Sequence, residues 1–123
     1  WLISWWIRGL RGQNRWNSII KVRSMSPASA ISLSGMNAAQ AALDTSAHNI
    51  ANLSTPGFRR REVVQSTLVN GGVTTSQAEA SEAGSAIEAD VVGQLVSKNA
   101  FLANLAVFRA SNKMLGALLD EES

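Results

Sequence analysis

Two stretches of this chain carry apolar residues at helical spacing, and a β-branched stretch separates them. In the first, Met36, Leu43 and Ile50 stand seven apart, with Ala39, Ala47 and Leu53 beside them. This is a narrow seam of the coiled-coil kind, not the broad apolar face of a globular helix. Alanine, the strongest helix former, fills the positions between, so the pattern predicts one helix over 27–52. Ser26 is placed to cap it and Pro27 to start it. Gly35 weakens its first turns by about 1 kcal/mol relative to Ala. Asn52 is expected to close the helix in the left-handed conformation, and Pro56 cannot prolong it. Thr55-Pro56-Gly57-Phe58 then puts Pro second and Gly third in a four-residue turn, the arrangement of type II.

In the second stretch, Ile87, Phe101, Phe108 and Leu115 share one heptad phase. Val91, Leu105 and Leu119 follow four residues on, and Leu95 and Leu102 widen the stripe. Ser85 and Glu88 have the spacing of a capping box, which predicts a helix over 86–119. Gln94, Lys98 and Asn112 interrupt the stripe, as polar residues do in seams that fix a register. Asp120, Glu121 and Glu122 oppose the helix dipole, so the last turn is expected to fray.

The connection, 53–84, is different in kind. Val63 to Val69 is rich in β-branched residues, Asn70-Gly71 is a two-residue hairpin signal, and Val73-Thr74-Thr75 is suited to return as a second strand. Gln77 to Gly84 is small, polar and acidic and reads as a linker. A two-stranded hairpin is marginal alone, so the connection is expected to be a short β-hairpin or irregular. The fold expected is all-α. Its two long helices form an antiparallel coiled-coil-like hairpin, with Met36, Leu43, Ile50 and Leu53 facing Phe101, Leu105, Phe108 and Leu115.

Charge divides the chain unevenly. Residues 1–24 hold all four Trp and five basic residues with no acid, +5, whereas residues 25–123 hold six basic and nine acidic residues, −3. The overall +2 averages these two parts and does not point to nucleic acid. The first Met is Met25, directly before the Ser26-Pro27 helix start. The native protein is therefore expected to begin at Met25, with 1–24 a non-native or disordered basic extension. The rest, 25–123, reads as a single helical domain. Read instead as native, Trp and Arg in 1–24 suit a membrane surface. The apolar run Trp1 to Ile7 falls far short of the ~20 residues that span a bilayer.

Chemistry is sparse. The chain has no Cys and a single His, which excludes disulfides and thiolate metal sites and leaves too few nitrogen or sulfur ligands for zinc. His48 is expected to be a half-buried packing residue, with Asp44 four positions back as a helix-surface partner. No nucleophile elbow, S-x-x-K or phosphate loop is present. No catalytic, cofactor or metal site is expected, and an enzyme is the weakest reading. The Arg59-Arg60-Arg61 run reads first as a solvated turn, next as a contact for an acidic protein surface. Nucleic acid comes last, because no aromatics are interleaved to stack bases.

Two motifs carry a resemblance. Asn49-Ile50-Ala51-Asn52-Leu53-Ser54-Thr55-Pro56-Gly57-Phe58 resembles the N-terminal signature, A-N-x-x-T-x-G-F/Y, of bacterial flagellar rod and hook (axial) proteins. The stretch from Asn99 to Asp120, with A-F/Y-x-A-N and M-L-G-x-L-L-D elements, is similar to that family's C-terminal helix. Together the two regions, 30–58 and 87–120, cover over half of 25–123. Only about 28 residues separate them, so the likeness is to a small rod-type member without the large β-rich domains of hook and distal-rod relatives. The resemblance implies a structural subunit of the basal-body rod, exported by the flagellar type III apparatus and located in the periplasmic rod region. It implies self-assembly through the terminal helices, with other axial subunits and the export apparatus as partners and no cofactor. Asn49, Asn52, Thr55, Pro56, Gly57 and Phe58 would form the turn motif. Phe58 is expected to be presented to a neighbouring subunit; the alternative is that it folds back on the hairpin. Membrane contact is expected only through 1–24. The competing reading is a soluble coiled-coil adaptor or chaperone that binds a partner helix.

Overall fold

The computed structural model of the chain describes residues 26–121. The expected extension over 1–24 and the start at Met25 lie outside the described residues. Helix α1 runs Pro27–Ala51, strand β1 Arg61–Thr67, strand β2 Val73–Glu79, and helix α2 Ile87–Glu121. The helices are antiparallel. Ser29 meets Asn112, Gly35 meets Asn104, Ser46 meets Gly93 and Asn49 meets Asp90, one register held along the pair.

The all-α expectation is corrected by the two strands, which pair antiparallel over seven residues each, from Arg61↔Glu79 to Thr67↔Val73. The architecture is helix, β-hairpin, helix. A lone hairpin is marginal, and α1 supplies what this one lacks. Ser34 Oγ accepts the Val73 N–H at 3.1 Å near the tip, and Asn49 bonds Arg61 at the open end. The expected linker is corrected too. Gln77 to Glu79 belong to β2 because they find partners in Arg61 to Val63, leaving 80–86 as the connection.

The tip is not the two-residue Asn-Gly turn. Gly71 N–H donates to Leu68 O at 3.0 Å and Leu68 N–H to Gly72 O at 3.1 Å, enclosing a three-residue loop. Gly71 takes φ +86°, whereas Asn70 keeps a negative φ. This is a turn closed by a left-handed Gly, the usual three-residue alternative.

The helix interface also departs from the coiled-coil seam. Buried on α1 are Ser29, Ser32, Met36, Ala38, Ala39, Thr45 and Asn49, and on α2 only Asp90 and Ser97. Small and polar side chains let the helices approach closely, in place of large knobs in holes. Ser26 caps α1 as expected, accepting the Ser29 N–H at 3.1 Å, with Pro27 next. Asn52 ends it differently from expectation, at φ −101°. Its N–H (3.1 Å) and its side-chain Nδ2 (2.9 Å) both donate to His48 O, so no left-handed residue is needed. α2 starts at Ile87, one residue too late for Ser85 to cap it, and stays helical through Glu121 despite the acidic end.

Candidate assembly site

A polar clip joins all three parts of the fold. Asn49, near the end of α1, is 3% exposed, and Asp90, in the first turns of α2, is 4% exposed. Asn49 Nδ2 donates to Arg61 O at 2.9 Å, and Arg61 N–H donates to Asn49 Oδ1 at 2.8 Å. Asn49 Nδ2 also lies 3.2 Å from Asp90 Oδ1. Arg60 grips the same carboxylate, Nη2 to Oδ1 at 2.7 Å and Nε to Oδ2 at 3.3 Å. Burial pushes the Asp90 carboxyl upward, but the hydrogen bonds from Arg60 and Asn49 and the Arg60 charge outweigh it and hold the group below its ordinary value. The hydrogen bond to Asp90 in turn raises Arg60. Removing one partner of such a pair leaves a buried charge uncompensated.

A hydroxyl cluster pins the other end of the helix pair. Ser26 Oγ and Ser111 Oγ are 2.6 Å apart, and the buried Ser29 hydroxyl lies 2.9 Å from Ser111 Oγ and 3.2 Å from Asn112 Oδ1. Among the described residues no buried side-chain polar atom lacks a partner.

The turn motif divides into an inner and an outer part. Asn49 is the clip and Asn52 the cap, while Thr55, Pro56 and Gly57 are exposed. Phe58 N–H donates to Thr55 O at 3.2 Å, and Gly57 takes φ +70°, the geometry a type II turn requires at its third residue. Phe58 is half-buried and folds back, its ring 5.6 Å from that of His48 and tilted by 57°. His48 is thus a packing residue, and Asp44 accepts from Gln40 at 3.0 Å in place of pairing with His48. The arginine run is no basic patch. Arg60 is spent on Asp90, and the exposed Arg59 donates to Ser81 O at 3.1 Å, while Arg61 is exposed as well.

Of the expected seam, Met36 is buried. Leu43, Ile50, Phe101, Leu105, Phe108 and Leu115 are half-buried, and Leu53 is exposed. The register sets Met36 level with Asn104 and Ile50 level with Asp90, while Leu115 lies level with the start of α1. Leu115 therefore does not face Ile50 or Leu43. Sequence reading missed Asp90, Arg60 and the hydroxyl cluster. The available signal was phase: Asp90, Ser97, Asn104 and Ser111 stand seven apart along one line of α2.

Residues 30–59 match the family model described as flagella basal body rod protein. By this segment the chain is similar to flagellar basal-body rod proteins. The rod-family segment takes in most of α1, Asn49 and the whole turn motif, and stops one residue short of Arg60. Basal body, rod and a structural role follow from it. No curated protein matches the chain.

Beyond the matched segment, the fold leaves the outside of α2 open. Its apolar side chains are largely exposed, Leu95 at 59% and Met114 at 68% among them. By length and composition α2 would even cross a bilayer, with mean hydropathy 1.3 over 18 residues. On one side it borders a groove floored by Gly35, Ala38 and Ala42 of α1 and walled by Val73 of the hairpin. A separate groove is lined by Pro27 and Ala28 of α1 and by Val107, Ala110 and Met114 of α2.

Proposed function

We propose that this rod-family chain is a non-catalytic building block of the basal-body rod. It is exported by the flagellar type III apparatus to the periplasmic rod region and assembles there with axial subunits, itself included, through α1 and α2. It holds no cofactor. The observation that carries this reading is the exposure of α2: a 35-residue helix with two buried residues, both polar, leaves a large apolar surface for neighbours to cover. The clip supports it, because it fixes the direction of α2 relative to the rod-family segment before neighbours arrive.

The test is incorporation. An epitope-tagged chain is expressed in flagellated cells of its own kind, and basal bodies are purified. The tag is expected in the rod fraction and lost from it when residues 30–59 are deleted. A chain found only in the cytoplasm, helical as a dilute monomer and bound to another protein's helix, overturns the rod role in favour of an adaptor.

A further inference from the structure

Asn70-Gly71 has the sequence of a two-residue turn, and the fold uses it otherwise. Gly71 takes the left-handed conformation, and Asn70 stands exposed at the end of the β1–β2 hairpin. Of the nine asparagines it is the one followed by Gly. A residue without Cβ lets its nitrogen come close to the preceding side chain. The other asparagines among the described residues are placed differently. Asn37, Asn49, Asn99, Asn104 and Asn112 lie within helices, where the next N–H is turned along the axis toward a carbonyl one turn back. Asn52 ends α1 with its side-chain amide on His48 O.

The hairpin tip rests on α1. Val73 N–H donates to Ser34 Oγ at 3.1 Å. A Cβ on Gly71 would fall 2.9 Å from Ile31 Cδ1, and one on Gly72 2.8 Å from Ser34 Oγ, so the loop lies directly on the helix. Leu68 ties the loop from within, its O accepting Gly71 N–H at 3.0 Å and its N–H donating to Gly72 O at 3.1 Å.

We propose that Asn70 is a self-modification site whose product releases the hairpin tip from α1. The Gly71 nitrogen gives up its proton to base and attacks Asn70 Cγ. The new N–C bond closes a cyclic imide, and the side-chain nitrogen takes up a proton and leaves as ammonia. Water then opens the ring at either carbonyl. Attack at Cγ leaves aspartate. Attack at the main-chain carbonyl leaves isoaspartate, in which the chain runs through Cβ and Cγ. The net change is Asn plus water to aspartate or isoaspartate plus ammonia, with nothing oxidised or reduced. Ordering of the tip slows the first step, because Gly71 N–H must leave Leu68 O before it reacts. Isoaspartate adds one carbon to the main chain of a loop already seated against Ile31 and Ser34. The two bonds to Leu68 are then not both kept, and the Ser34 latch opens. The far end of the hairpin stays docked, because Asn49 holds Arg61 there. The product also carries the one charge in a stretch that has none between Glu62 and Glu79.

The full chain, held in neutral and in mildly alkaline buffer, tests this. Peptide mapping by mass spectrometry should show an amide turned to acid at Asn70, at a rate that rises with hydroxide concentration. The product should accept a methyl group from S-adenosylmethionine through an isoaspartate methyltransferase. Conversion should be faster in urea, and in Ser34→Ala, than in the unaltered folded chain. In hydrogen exchange the converted chain should lose protection at Leu68, Gly71 and Val73 and keep it at Arg61. Asn70→Gln must close a larger and slower ring, so it should keep both its mass and its protection. Freshly prepared Asn70→Asp adds the charge without the extra carbon and should keep Val73 protected. The proposal is overturned by a folded chain that keeps its mass, or by conversion spread over the other asparagines. Equal rates in urea and in the folded chain overturn it too, as does a converted chain whose Val73 amide stays protected. None of these readouts involves assembly, so the rod reading and the modification fail independently.

Discussion

Asn49 and Arg61 exchange two hydrogen bonds, side-chain amide to backbone, at 2.9 and 2.8 Å. The amide stands where a third strand's peptide would, on the edge of β1 turned away from β2. A helix thereby closes one end of a two-stranded sheet and aims the chain that leaves the rod-family turn.

Replacing Asn49 by Ala should therefore cost about 2–4 kcal/mol, since part-buried backbone groups of Arg61 and one oxygen of the buried Asp90 lose a partner. Asn49→Asp should cost at least as much, because a carboxylate cannot donate to Arg61 O and would face Asp90. Urea unfolding followed by circular dichroism measures both. A loss under about 0.5 kcal/mol in both variants, below the net worth of a single hydrogen bond, would refute the clip's role.

Acid should loosen the same clip. The folded-state value of Asp90 is depressed, so its contribution is fully present above the ordinary carboxylate range and is lost as pH falls through the folded value. Stability against urea should stay level from neutral pH down to about pH 5 and decline below it. Asp90→Asn should be less stable at neutral pH and show a shallower acid decline. An unchanged acid slope would assign the effect to other carboxylates.

Two glycines in the helices should respond in opposite ways to Ala. Gly116 faces open space, so Gly116→Ala should gain up to about 1 kcal/mol from helix propensity. A Cβ on Gly35 would fall 2.5–2.8 Å from the Asn104 side chain, which is held by its bond to Ala100 O. Gly35→Ala should forfeit that gain, and adding Asn104→Ala should restore about 1 kcal/mol. Thermal melts of the three variants decide it; a Gly35→Ala gain equal to that of Gly116→Ala would deny the close approach.

The rod-family turn depends on backbone conformation alone at Gly57, where φ is +70° and a side chain would meet nothing within 4 Å. Gly57→Val should cost about 1–2 kcal/mol, the penalty for a left-handed L-residue. Gly57→Asn should cost less, and the exposed Gln65→Ala little. Equal stability of all three would mean that the turn is free to rearrange.

Phe58 gives the sharpest cellular readout. It covers His48 within the same chain, so Phe58→Ala should weaken the fold by about 1 kcal/mol, the scale of a half-buried aromatic pair. Export and rod incorporation are scored separately. Normal export with normal incorporation would confine Phe58 to intrachain packing, and normal export with failed incorporation would assign it a neighbour.

Local chemistry was legible from the sequence. Ser26-Pro27 starts a helix because a hydroxyl and a missing N–H suit its first turn, and Pro56-Gly57 forces one turn type because few dihedrals are open to that pair. The Asn49 to Phe58 motif indicated the rod family for the same reason: short-range constraints are written residue by residue. The sheet's persistence was not legible, because a hairpin marginal alone is held by Ser34 and Asn49 from a distant helix. Nor was the seam. Heptad counting selects large apolar residues, whereas the docked face of α2 is chosen by closeness to α1 and by the partners available to Asp90 and Ser111. A polar side chain in an apolar phase reads as an interruption until its partners are known. Arg60 and Asp90, thirty residues apart, meet only once the hairpin has turned the chain back, so tertiary structure alone made that pair.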